Sequence, residues 1–303
     1  SKQIKKANIQ TKVYHPFPWN FWHWSKSVVK LPLILKWLYL LLMIRRRNHR
    51  KIILIDNCIA YLGSLNITDK HLAKKDGGAG WRDTGIRLSG ADFSELESAF
   101  ESCWYHRSIT EFFKETIEKI RQDPTFRLNN TRHKRRIHYR NLLKKLRLST
   151  KRIWITIAYF VPENRILKQL KNAAKRGIDV RLVIPRKSDQ IIPIPWASAI
   201  FYQSLLMAGV RIYEYTTNII HAKSIIIDDW VLIGSSNLDH LSLNYNLEID
   251  VRLNHEESKQ QVYRLFNRDL ESSKELTLNN WRVQYSWIKR CIGKFILIFK
   301  GFI

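Results

Sequence analysis

Residues 49–66 read HRKIILIDNCIAYLGSLN, and residues 221–237 read HAKSIIIDDWVLIGSSN. In both, a Lys follows a His by two positions, an Asp closes the next apolar run, and a second apolar run ends in Gly-Ser-x-Asn. With each residue type near roughly 5% abundance, six such positions agree by chance about once in 10⁸ windows. A string this specific, written twice, marks an internal repeat, and the rest of the chain falls into register around it.

The second copy follows a complete α/β pattern. RIWITIAYF (152–160) reads as a buried strand. NRILKQLKNAAKRG (164–177) reads as a helix with Ile166, Leu167, Leu170 and Ala174 on one face, closed by Gly177. IDVRLVIP (178–185) is a further strand, WASAIFYQSLLMAG (196–209) a helix and RIYEY (211–215) a strand. Such alternation predicts an α/β fold with mostly parallel or mixed sheets flanked by helices. The first copy keeps only the tail of this unit: residues 4–16 match the end of the leading segment of the second. Truncation inside a longer protein is the favoured explanation, because a lone half-sheet leaves an apolar edge unpaired.

Behind each Gly-Ser-x-Asn the copies correspond again. RDTGIRLSG (82–90) aligns with LEIDVRLNH (247–255), each a strand with an acid at the matching place, Asp83 and Glu248. A helix follows each, with Phe93, Leu96, Phe100 and Trp104 on one face of the first and Val262, Leu265, Phe266 and Leu270 on one face of the second. The basic run 132–152 separates the copies, read as an exposed linker that turns helical from about Tyr139. The division is therefore 1–131, an incomplete half with an insert at 17–47, and 132–303.

The repeated string carries the chemistry. Period-2 geometry puts His49 with Lys51, and His221 with Lys223, on one face of a strand. IILI and SIII read as strands buried on both sides, and Asp56 and Asp228 end them. Ser64, Asn66, Ser235 and Asn237 supply neutral donors beside glycines that permit close backbone approach. Two His, two Lys, two Asn and two Ser suit a phosphate oxyanion: point charge, directional donors, and an imidazole as nucleophile or acid. A metal centre competes poorly, since a Lys beside each His repels a cation. Cys58, Cys103 and Cys291 form no ligand or disulfide pattern.

H-x-K-x4-D followed by G-S-x-N, present twice, resembles the phospholipase D superfamily, and most closely bacterial cardiolipin synthases. GWRDTGIRL, YFVPENRIL, GSSNLDHLSL and FNRDLESSKELTLNNW strengthen the likeness, which runs from about Ile4 to Trp281. The resemblance implies two pseudo-symmetric phospholipase D-like halves that bring both imidazoles to one phosphodiester. It implies His49, Lys51, Asp56, His221, Lys223 and Asp228 as the catalytic set, with His49 as nucleophile and His221 as acid and base. Ser64, Asn66, Ser235 and Asn237 become phosphate-binding residues, and Asp83 and Glu248 become the carboxylates that orient the imidazoles. No metal or other cofactor is implied.

Charge and apolar insertions choose the substrate. The chain has 52 Lys+Arg against 26 Asp+Glu, a formal +26, and predicts a polyanionic partner. Trp, Leu and Lys/Arg fill the stretch before His49 and the C-terminal WIKRCIGKFILIFKGFI. The apolar stretch Val28 to Ile44 is interrupted by Lys30, Pro32 and Lys36 and falls short of the roughly 20 clean residues of a span. Aromatic and aliphatic segments flanked by cations suit an anionic membrane surface, and aliphatics stack no bases, so nucleic acid is the weaker partner. The expected function is a phosphatidyltransferase joining two phosphatidylglycerols through a phosphohistidine, releasing glycerol. The alternatives are a phospholipase D making phosphatidic acid, a nuclease-like phosphodiesterase, and an inactive truncated membrane-binding protein. The resemblance implies the cytoplasmic side of a bacterial inner membrane, held peripherally or by a preceding anchor.

Overall fold

The computed structural model describes residues 7–105, 124–187 and 193–302. Among them the regular elements run in chain order as α1 (Leu33–Leu42), β1 (Ile52–Ile55), β2 (Ile59–Gly63), β3 (Gly85–Ser89), α2 (Ser94–Trp104), β4 (Phe126–Leu128), α3 (Arg132–Leu148) and β5 (Arg152–Thr156). They continue as α4 (Asn164–Lys175), β6 (Asp179–Pro185), α5 (Ile194–Leu206), β7 (Arg211–Tyr215), β8 (Ser224–Ile227), β9 (Trp230–Gly234), α6 (His240–Asn244) and β10 (Ile249–Leu253). The last are α7 (Glu256–Glu271), β11 (Ser273–Leu276), α8 (Leu278–Gln284) and α9 (Trp287–Ile298).

Two sheets result, in the order β1-β2-β3 and β11-β7-β6-β5-β8-β9-β10-β4. The β5–β6 and β6–β7 pairs are parallel, as crossovers through α4 and α5 require, and the remaining pairs are antiparallel. The fold is mixed α/β, as the alternating pattern predicts. β8 and β9 are buried along their whole length, because α3–α5 cover one face of the large sheet and the small sheet covers the other. Ala60 and Leu62 of β2 meet Ile226, Val231, Ile233 and Ile249 in that second layer. This packing brings the two repeats together.

Several expectations are corrected. β1 is half-buried on one side only, through Ile52 and Leu54, with Ile53 and Ile55 exposed, because nothing described covers the outer face of the small sheet. Residues 7–16 form no strand: Val13 makes one isolated bridge to Ser27, and 4–6 lie outside the described residues. β4 joins the edge of the large sheet, although the sequence reading puts it in the first half. α3 begins at Arg132, seven residues before Tyr139, because Thr131 accepts the Lys134 amide as N-cap and His138, Leu142 and Leu146 give the basic run a buried face. In α2 Ala99 is buried while Phe100 is exposed and stacks on Trp104.

α1 is inverted relative to a surface helix. Lys36 is buried, donating to the Trp24 carbonyl at 2.8 Å, while Leu33 and Ile34 are 74% and 81% exposed. α9 packs on α5 where Gly293 lies so close that an added Cβ would sit 2.2 Å from the Trp196 carbonyl. Its Trp287, Phe295 and Ile298 face outward. No helix among the described residues is long and apolar enough to cross a membrane.

Candidate active site

The two copies of the repeated string are built on the same backbone frame. Each Gly-Ser ends a strand, β2 or β9, where the neighbouring strand passes very close. A Cβ at Gly63 would sit 2.3 Å from the Thr84 carbonyl, and one at Gly234 2.3 Å from the Ile249 carbonyl. The Ser64 amide donates to Thr84 at 2.9 Å and the Ser235 amide to Ile249 at 2.8 Å. His and Lys lie just ahead of β1 and β8, outside the sheet ladders. The two lysines fold back identically, Lys51 Nζ donating to the His49 carbonyl and Lys223 Nζ to the His221 carbonyl, both at 2.7 Å.

The carboxylates cross between the copies. His49 Nδ1 lies 2.9 and 3.0 Å from the two oxygens of Glu248, and His221 Nδ1 lies 2.9 Å from Asp83 Oδ1. An ionised carboxylate only accepts, so both Nδ1 atoms donate and both Nε2 atoms present lone pairs. Parallel bridges, Asn48 to Leu247 and Arg82 to Ile220, carry each acid to the other copy's imidazole. Arg82 fixes the second bridge by pairing with Asp269 of α7 at 2.8 and 3.0 Å and donating to the Asp83 carbonyl.

Burial sets the electrostatics. It pushes the Lys51 ammonium down to about 8, with Glu248 and Asp83 pulling the other way. Burial also takes Lys223 to about 7, and the charge of Lys51 adds to the fall. His221 drops to about 4, again through burial first, against its hydrogen bond to Asp83; Lys223 Nζ stands 3.1 Å from its Nε2. Burial would raise Asp83 and Glu248, but imidazole hydrogen bonds outweigh it and hold both low. The result is two fixed carboxylates beneath a neutral His221 and two weakly held ammonium protons. An arriving phosphodiester anion would draw those protons in.

The other expected residues sit elsewhere. Asp56 and Asp228 occupy the hairpin turns with φ of 48° and 53°, the left-handed region that Asp tolerates. Asp228 is seven residues of extended chain from His221, roughly 20 Å. Its carboxylate accepts the Thr150, Lys151 and Arg152 amides at 2.7–3.0 Å. Neither Asp is brought to the imidazoles, because strand rise carries them to the far end of the hairpin. Asp228→Ala is therefore expected to cost roughly 1–3 kcal/mol of stability, read as a lower denaturation midpoint, with turnover per folded molecule unchanged. Ser64 and Ser235 do not face a substrate either. Fully buried, they donate to Asp83 at 2.8 Å and Glu248 at 2.5 Å, holding the carboxylates that hold the imidazoles. Asn66 is exposed beside His71 at 3.3 Å. Asn237 is buried, and its Oδ1 has no hydrogen bond among the described residues.

One member of the site escapes the sequence reading. His71 Nδ1 donates to Asp83 Oδ2 at 2.6 Å, so Asp83 holds two imidazoles, with ring centroids 5.2 Å apart. His71 follows Ser64 by seven residues, as Ser242 follows Ser235, and Ser242 Oγ donates to Glu248 at 2.7 Å. That equal spacing was the signal available. Trp81 closes the wall, 5.9 Å from the His221 ring. Ligand atoms of His71, Asp83 and His221 lie within 4.8 Å of one another, a set with metal-like composition. The Lys223 ammonium 3.1 Å from His221 Nε2 opposes a cation there.

The family described as "Cardiolipin synthase, PLD-like domain" matches residues 142–270. Cardiolipin synthase of Halalkalibacterium halodurans is 33% identical over 301 residues, covering 96% of this chain and 56% of its own length. Cardiolipin synthase A of Pseudomonas putida is 31% identical over 252 residues, covering 78% of this chain and 50% of its own length. The chain thus spans about half the length of these curated relatives. In fold it resembles the phosphatidylserine synthase of Haemophilus influenzae, with a TM-score of 0.61 at 12% identity over 85% of this chain and 70% of that one. Two His-Lys strings, joined through exchanged carboxylates, and the match to these relatives make the chain similar to the phospholipase D-like cardiolipin synthases.

Proposed function

We propose that the chain is a phosphatidyltransferase that joins two phosphatidylglycerols into cardiolipin and glycerol. The observation that carries this reading is the exchange of carboxylates, which fixes both imidazoles in the same tautomer within one lysine-flanked site. His49 Nε2 attacks phosphorus and displaces the glycerol oxygen, which takes its proton from His221. His49 is the more exposed of the two, 27% against 6% for the side chains. Phosphate charge beside Nε2 raises His221 toward the range in which it holds that proton. The headgroup hydroxyl of a second phosphatidylglycerol then gives its proton back to His221 and attacks the phosphohistidine, releasing His49. The two repeats act as pseudo-symmetric halves, each lending the other an orienting acid.

The lipid reading rests on α1 and α9. Their outward aliphatic and aromatic side chains, with Lys and Arg nearby, fit a headgroup boundary of anionic lipid. Their ends approach one another, Gly301 lying beside the Arg45 side chain three residues beyond α1. Both helices thus belong to a single membrane-docking surface, and the protein attaches there peripherally. Incubation with phosphatidylglycerol vesicles is expected to yield cardiolipin and glycerol. Phosphatidic acid as the product would mean hydrolysis, DNA cleavage without lipid turnover a nuclease, and vesicle binding without turnover an inactive scaffold.

A phosphodiester anion favours charged lysines, so Lys51 at about 8 and Lys223 at about 7 rise when it binds. Net proton uptake is expected on binding a short-chain phosphatidylglycerol near pH 8, measured by calorimetry in buffers of different ionisation enthalpy. The dissociation constant should climb as pH rises through the range from about 7 to about 8, where the free lysines lose their protons. A flat profile would contradict the lysine assignment.

A further inference from the structure

Between the C-terminal end of α1, the first turn of α3 and α6 lies a cavity of about 550 Å³, within the size range of small-molecule sites. Five arginines line it, Arg45, Arg46, Arg132, Arg135 and Arg136, and no carboxylate does. Glu163, which touches two of the lining residues, is already engaged by Asn244 at 2.9 Å and by His240 at 3.7 Å. Arg46 donates to the Asn130 carbonyl at 3.1 Å and Arg135 to the Asn129 carbonyl at 2.9 Å. Those carbonyls orient the guanidinium groups without neutralising them, and the Nε atoms of both arginines are buried without a hydrogen bond. Burial, with Arg46 and Arg132 next to it, brings Arg135 down to about 10.

The helix dipole compounds the imbalance. The first turn of α3 carries Arg132, Lys134 and Arg135 and no acid, at the helix end that favours anions. A cluster of like charges there is tolerated at a cost that a bound anion would remove. Location narrows the anion's class. Leu42 and Met43, at the end of the exposed apolar helix, form the outer wall. The inner wall, Leu243 to Tyr245, runs on to Glu248, and Arg46 is three residues from His49. A ligand here has its charge among arginines, apolar chains along α1, and the imidazole pair close by.

We propose that this cavity is a second lipid site, which holds the phosphodiester headgroup of an anionic phospholipid beside the imidazole pair. This rests on the lipid reading above and deepens it, because joining two phospholipids needs a place for the second. Paired N–H groups of Arg132 and Arg136 grip the phosphodiester oxygens, a geometry lysine does not reproduce.

The test is calorimetric titration of the full chain carrying His49→Ala and His221→Ala, so that nothing turns over, with dihexanoyl phosphatidylglycerol below its micelle concentration. Two sites per chain are expected. Adding Arg132→Gln and Arg136→Gln should weaken one of them by about tenfold to a hundredfold and leave the other intact. Arg132→Lys with Arg136→Lys should give an intermediate loss, and decides the matter if the Gln pair does not fold. Unchanged stoichiometry and affinity in the arginine variants would overturn the proposal. So would equal binding of dihexanoyl phosphatidylcholine, or inorganic phosphate occupying the site while the lipid does not, which would make it a free-anion site. Failure to form cardiolipin would sink the phosphatidyltransferase reading and leave this binding result standing.

Discussion

His49→Ala and His221→Ala are each expected to lower cardiolipin formation by at least about 10⁴-fold, because residues that act as one unit lose nearly everything singly. Initial rates on labelled phosphatidylglycerol vesicles measure the loss. The two variants should differ in what they accumulate. With His49 as nucleophile, His221→Ala still forms the phosphatidyl-enzyme slowly and cannot discharge it, so the intact chain gains the mass of a phosphatidyl group. His49→Ala gains none. Mass gain in His49→Ala alone would reverse the assignment of the two imidazoles. Either variant should fold, since His49 is partly exposed and His221 contacts its surroundings through Asp83, Lys223 and the aromatic wall.

Glu248→Gln is expected to cost about 10³- to 10⁴-fold in kcat with little change in KM, the size seen when a catalytic imidazole loses its orienting carboxylate. Glu248 is fully buried, and it accepts from His49 Nδ1, Ser235 Oγ and Ser242 Oγ. A carboxamide has the same shape but only one accepting oxygen, so its NH₂ group must face a donor. The imidazole then turns its lone pair toward the amide and carries its proton on Nε2, where it can no longer attack. Glu248→Asp should restore part of the rate, because the charge returns at a longer reach. A loss confined to stability, with kcat per folded molecule unchanged, would show that Glu248 serves only the core. Since Glu248 lies 199 residues from His49, this variant also tests whether the copies share one site.

Much of the site was legible in the chain itself. Residue types and local spacing encode local geometry, so the twice-written string, the acids Asp83 and Glu248, and the α/β alternation could be read without coordinates. Period-2 arithmetic also placed His and Lys side by side, and both lysines do return to the carbonyl of their own His. Six residues separate Asp56 from Gly63 and five separate Asp228 from Gly234, and the second hairpin is shorter by one accordingly: Ile227 pairs with Trp230 across two residues, while Ile55 pairs with Ile59 across three.

Partnership was not legible, because a hydrogen bond across more than a hundred residues is set by how sheets pack. Sequence alone places Asp83 behind the first string and Glu248 behind the second; only the packed sheets hand each acid to the opposite imidazole. The same packing turns Ser64 and Ser235 inward onto those acids, leaves Asp56 and Asp228 at the far hairpin ends, and brings His71 onto Asp83. It also gathers five arginines around one cavity from segments that read separately as an insert and a basic linker. Sequence thus determined the two His-Lys pairs and the two acids that the site possesses. Tertiary structure decided which of them touch, since desolvation and hydrogen bonding act between neighbours in space.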